Sequence, residues 1–138
     1  MPIIYVARSP SLQEWAADVG LTEHVYKVGI VDGTPDEAVA RLNEEAFAGV
    51  SDWVLLKDRE VETADDKSVA ERLARKEKAV DPLFYPRIKG ATGLYKVKMA
   101  NVQTRLLMQK MMAGEEEKVP KKPKVGDIAD YLLGTAAE

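Results

Sequence analysis

Residues 3–8, IIYVAR, form a short β-branched apolar run and predict a buried strand. The period then changes, with Leu12, Trp15, Ala16 and Val19 on one helical face. Ser9 is placed to cap that helix, Pro10 to occupy its first position and Gly20 to follow its end. HVYKVGIV (24–31) returns to strand character, and DGTP punctuates it before a helix opening on Thr34, Pro35 and Glu37, a capping-box spacing. Val39, Leu42 and Ala46 supply the core stripe of that helix, and Gly49 ends it. DWVLLKDREV (52–61) predicts a third strand. A start signal around Asp65–Ser68 then opens a helix over SVAERLARKEKAV (68–80), stopped by Pro82. PRIKGATGLYKVK carries two glycines and a short strand at Leu94–Val97. ANVQTRLLMQKMMAG (100–114) reads as a helix built on Val102 and Leu106, with methionines suited to a core or to a partner-facing surface.

EEEKVPKKPK (115–124) has charge blocks, two prolines and one large apolar residue, the composition of an exposed linker. In VGDIADYLLG, Val125, Ile128, Leu132 and Leu133 predict a short amphipathic helix able to dock on the body or on a partner. The expected organisation is a globular unit over 1–113, a flexible linker over 114–124, and a C-terminal helix and tail over 125–138. The short excursion between the first two strands permits antiparallel neighbours. The fold class is therefore α+β, a small, mainly antiparallel three-stranded sheet flanked by helices.

Composition narrows the chemistry. The chain has no Cys and a single His, His24, so thiolate nucleophiles, disulfides and cysteine-based zinc sites are excluded. The chemistry left is that of Tyr, Glu, Asp, Lys and Arg. No apolar stretch approaches the ~20 residues of a membrane span, nor does the N-terminus read as a secretion signal, so a cytoplasmic protein is expected. The net charge of −3 conceals an asymmetry. Acids dominate from Asp32 to Asp66, whereas Arg72, Arg75, Lys76, Lys78, Arg87, Lys89, Lys96, Lys98, Arg105 and Lys110 follow against only Glu77 and Asp81. Such polarity suits a phosphate-facing surface, or equally a solvated surface with internal ion pairs.

The Tyr of IIYVA, the Lys and Gly of YKVGI, the helix phrase PDEAVARLN, the later AERLARKE and the closing PRIKGATGLYKV occur in this order. Together they resemble the phage-type branch of the GIY-YIG nuclease superfamily, whose second motif commonly carries Lys. The resemblance covers roughly residues 2–108. It implies a divalent-metal-dependent endonuclease. Tyr5 would orient the attacking water, Lys27 would be the second-strand polar group, and Glu71 would hold Mg²⁺ or Mn²⁺. Gly29 would allow close backbone approach at the sheet. Family members also place an Arg against the phosphate, because a transition state rich in negative charge needs cations. Here that position is Ala38, with Arg41 three residues later and nearly one helical turn on. The first motif begins on Ile3 instead of Gly, and Ala74 stands where a His often follows the family's Glu.

Arg72, Arg75, Arg87 and Lys89 are the nucleic-acid-binding residues this resemblance and the basic run suggest. Each residue also has a plainer reading: Tyr5 as an amphipathic sheet residue, Lys27 as a solvated strand residue, and Glu71 with Arg75 as a surface i,i+4 ion pair. Two functions follow. One is a nucleic-acid-associated protein with weak metal-dependent endonuclease activity. The other is a non-catalytic interaction protein that keeps the fold and engages a partner or a second copy through 125–133.

Overall fold

In the computed structural model, β1 (Ile3–Arg8) lies between β2 (Val25–Val31) and β3 (Val54–Glu60), antiparallel to both. The structure describes residues 2–21, 24–62, 65–80, 85, 88, 91–112, 114 and 123–137. β4 (Lys78–Ala79) and β5 (Leu94–Lys96) extend the sheet, giving the order β3-β1-β2-β5-β4 with every pairing antiparallel. The α+β class agrees with expectation, while the sheet has five strands where three are expected.

Both faces of the sheet are covered, which strand alternation makes possible. Ile4, Val6, Tyr26 and Val28 point to one side, where they meet Val69 and Leu73 of α3 (Asp66–Ala74), Val102 of α4 (Met99–Met112) and Ile128, Leu132 and Leu133 of α5 (Val125–Ala137). Tyr5, Ala7, Val25 and Leu94 point to the other. There they meet Leu12 and Ala16 of α1 (Pro10–Asp18) and Val39 and Leu42 of α2 (Pro35–Glu44).

The predicted helix starts form as read. Ser9 Oγ accepts from the Leu12 amide at 3.1 Å, Thr34 Oγ1 from the Glu37 amide at 3.3 Å and Asp65 Oδ1 from the Ser68 amide at 2.7 Å. Two helix ends differ. α2 stops at Glu44, and a short 3₁₀ turn, Phe47–Gly49, follows it. α3 stops at Ala74, six residues before the expected end at Val80, and the chain re-forms as β4. Glu77 turns inward there and is only 3% exposed. It accepts from the Lys98 amide at 2.8 Å, from Asn101 Nδ2 at 2.9 Å and from the Tyr131 hydroxyl at 2.7 Å. These bonds and the pairing with β5 outweigh the helix propensity of the Arg-Lys-Glu-Lys run.

The C-terminal helix docks on the body of the protein. Of the two expected placements, on the body or on a partner, the first is seen: Ile128, Leu132 and Leu133 are each at most 3% exposed within the chain's own core. Most of the expected linker, 115–122, lies outside the described residues. Among the described residues, no helix is long and apolar enough to cross a membrane.

Candidate functional site

Tyr5 of β1 pairs directly with Gly29 of β2. With no side chain at position 29, the phenol lies flat across β2, and a Cβ added there would be 2.5 Å from Tyr5 Cζ. The close approach that Gly29 allows is thus made by the Tyr5 ring, not by another backbone as the sequence suggests. Crossing at Gly29 carries the phenol to the stretch of β2 past its pairing with β5. β5 pairs with β2 only over Val25–Lys27, followed by a last bond from the Val28 amide to the Gly93 carbonyl at 2.9 Å.

A cavity of about 300 Å³ opens at this end of the sheet, lined by Tyr5, Lys27, Gly29, Asp66, Ala70 and Tyr95 among others. Tyr5 and Lys27, 22 residues apart in sequence, therefore reach one site because antiparallel pairing sets them on the same face of adjacent strands. Tyr26 is on the opposite face, inside the core with α3, α4 and α5.

Lys27 is held in place. Its Nζ donates to the Thr92 carbonyl at 2.8 Å and stands 4.8 Å from the centre of the Phe47 ring. Gly93, at φ +78°, lets it pass, since a Cβ there would be 2.6 Å from that nitrogen. Phe47 is positioned in turn by Asn43 and Trp53. Asn43 bonds both backbone groups of Trp53, at 2.7 and 3.1 Å, and the Trp53 indole donates to the Phe47 carbonyl at 3.1 Å.

The electrostatics centre on Asp66. Burial pushes the Lys27 ammonium below its ordinary value, with Asp66 pulling the other way. Burial pushes the Tyr5 and Tyr95 phenols up, and Asp66 adds to both shifts. The cavity thus combines an ammonium, two phenols and one carboxylate. Among the described residues, no three His, Asp or Glu side chains gather to hold a metal ion. Asp66 is the one carboxylate among the described lining residues, so it is the residue that would hold such an ion there.

The remaining predicted residues lie elsewhere. Glu71 is exposed and does not line the cavity; α3 turns Ala70 toward it instead, and the carboxylate present is Asp66, one turn earlier. Arg41 is exposed on α2 and also stands outside it, while Ala38 packs against the layer that contains Tyr5. Arg72 donates from Nη1 to the Ala136 carbonyl at 2.9 Å, capping the end of α5. Arg75 lines a separate groove beside α4. Arg87 and Lys89 lie outside the described residues.

Sequence reasoning missed Asp66 as a site residue, because its position in the first turn of α3 reads as a helix-start signal. Its i,i+4 relation to Ala70 is the one sequence feature that would have placed both on one helical face. Comparison of the chain with protein-family models, with curated proteins and with solved structures finds no match.

Proposed function

We propose that this chain is a GIY-YIG-like nucleic-acid-associated protein that seats a phosphodiester at the Tyr5–Lys27 cavity. The observation that carries this reading is the convergence of Tyr5, Lys27 and Gly29 on one cavity, where Gly29 is needed to admit the phenol. Lys27 has three N–H donors, and among the described residues its Nζ gives one to the Thr92 carbonyl, which leaves two for an anionic oxygen. Asp66 would repel the same anion, so a divalent cation, Mg²⁺ or Mn²⁺, held by Asp66 completes the charge balance. Such an ion supplies Lewis-acid stabilisation of a phosphoryl oxygen. Tyr5 contributes a neutral hydroxyl that orients a water or a phosphate oxygen. In this form the protein is a weak metal-dependent endonuclease, because Arg41 and Glu71 stand outside the cavity and a missing transition-state cation costs about 10²-fold or more.

The exposure of Arg41 and Glu71 outside the cavity favours a second reading, a non-catalytic interaction protein on this fold. Incubating the protein with supercoiled plasmid and Mg²⁺ or Mn²⁺ separates the two. Nicking that falls in Tyr5→Phe and Asp66→Asn but persists in Glu71→Ala supports the endonuclease. Nicking indistinguishable from those of Tyr5→Phe and Asp66→Asn rejects it. Titration of short duplexes over a salt series then tests association itself, since phosphate contacts give an affinity that falls steeply with salt. Lys27→Met should weaken that binding, and an unchanged affinity would reject the cavity as the phosphate seat.

A further inference from the structure

α4 buries only its beginning. Val102 is fully buried, whereas Leu107, Met108, Met111 and Met112 are 37%, 57%, 67% and 86% exposed. Their i,i+4 spacings join them into one apolar strip along the last two turns of the helix. Beside that strip, between the end of α3 and α4, runs a groove of about 740 Å³. Arg75, Lys76, Lys98 and Arg105 line it, and Met108 and Met112 form its apolar wall. Arg105 is pre-positioned, its guanidinium 5.9 Å from the centre of the Tyr131 ring and resting on the backbone at Gly134. Four cations around one groove in a chain of net charge −3 are a local concentration of charge.

We propose that this groove docks an acidic amphipathic segment of a partner protein. The carboxylates of the segment would face Arg75, Lys98 and Arg105, and its apolar side chains would lie on Met108 and Met112. Charge complementarity selects the acidic side of the partner. The methionines select its apolar side, because an unbranched thioether adapts to varied apolar partners. A nucleic acid would use the cations and leave the apolar wall uncovered, since its phosphates offer that wall no apolar surface. The groove shares no lining residue with the Tyr5 cavity, so this inference stands independently of the proposed function.

The test is fluorescence anisotropy of the full chain with a labelled peptide of about four helical turns, Glu on one face and Leu on the other. The peptide should bind, more weakly as salt rises. Arg75→Glu combined with Lys98→Glu should weaken it by about tenfold or more. Met108→Ser combined with Met112→Ser should do the same. All four positions are exposed, and circular dichroism would confirm that both variants remain folded. Equal affinity for the Glu→Gln peptide, or no effect of either double variant, would overturn the proposal. So would displacement of the peptide by duplex DNA, binding only to phosphatidylserine vesicles, or a dimer of the chain that excludes the peptide.

Discussion

A methyl group at position 29 would lie 2.5 Å from both Cζ and the hydroxyl oxygen of Tyr5, which is itself only 5% exposed. Gly29→Ala should therefore destabilise the fold by about 1–3 kcal/mol, as overpacked cores do. The same substitution in a Tyr5→Ala background should cost much less, because the clashing ring is gone. Urea denaturation of the four proteins checks this, and additive losses would refute the contact. Lys27 makes a pH prediction. Burial holds its ammonium below 10.5, so the unfolded chain binds that proton more tightly than the folded protein does. Between the lowered value and 10.5 the unfolded state carries more protons, and stability contributed by Lys27 rises with pH. Tyr5 opposes this at higher pH: its phenol is raised above 10.0, so its contribution is fully present below 10.0 and is lost as pH rises through the folded value. Lys27→Met removes the first effect and keeps the second. Its unfolding free energy should lack the wild-type rise on the alkaline side, and identical pH slopes would count against a desolvated ammonium. At this scale the strand residues of the site were readable, since alternation alone sets Lys27 against Tyr26. The helical ones were not, because 100° of rotation separates Ala70 from Glu71 and nothing local states which of them faces the sheet.

Elements end where tertiary bonds outbid local propensity, and Glu77 is the clearest case. Its carboxylate caps the start of α4 through the Lys98 amide and ties α5 through Tyr131. The Tyr131 phenol is pushed up, chiefly by burial and then by this bond. Glu77→Ala should destabilise by about 3 kcal/mol, since the buried Tyr131 hydroxyl and the partly buried Lys98 and Asn101 donors lose their acceptor. Glu77→Gln keeps one acceptor oxygen and should cost clearly less; equal losses in a thermal or urea transition would contradict a capping role. Arg72 and Arg75 separate on the same grounds. Arg72→Ala removes the bond to the Ala136 carbonyl and should cost about 1 kcal/mol without changing duplex affinity. Arg75→Ala, at an exposed position, should leave stability within about 0.5 kcal/mol. An Arg72→Ala protein of wild-type stability but weakened duplex binding would return that residue to the nucleic-acid surface. The helix starts at Ser9, Thr34 and Asp65 were visible in the sequence because a cap is a short-range bond. The end of α3 was not, because its cause lies 21 to 54 residues away.

Across the whole molecule, α5 is part of the core and not an appendage. It contributes Ile128, Ala129, Tyr131, Leu132, Leu133 and Ala136 to the layer formed by Ile4, Val6, Tyr26 and Val28. A chain ending at Lys124 should therefore lose its cooperative thermal transition, because removing the helix would open to water much of the layer that α5 shares with α3, α4 and one face of the sheet. A truncated protein that melts at the full-length temperature would show α5 to be dispensable. The alternating and helical periods of the chain determined the α+β class, the helix starts, the three principal strands and the facing of Tyr5, Lys27 and Gly29, because those depend on neighbours in sequence. Folding in three dimensions decided β4, the inward turn of Glu77, the burial of α5 and the placing of Asp66 instead of Glu71 at the cavity. Each of these depends on which helix covers which face of the sheet, a long-range packing outcome that no local period encodes.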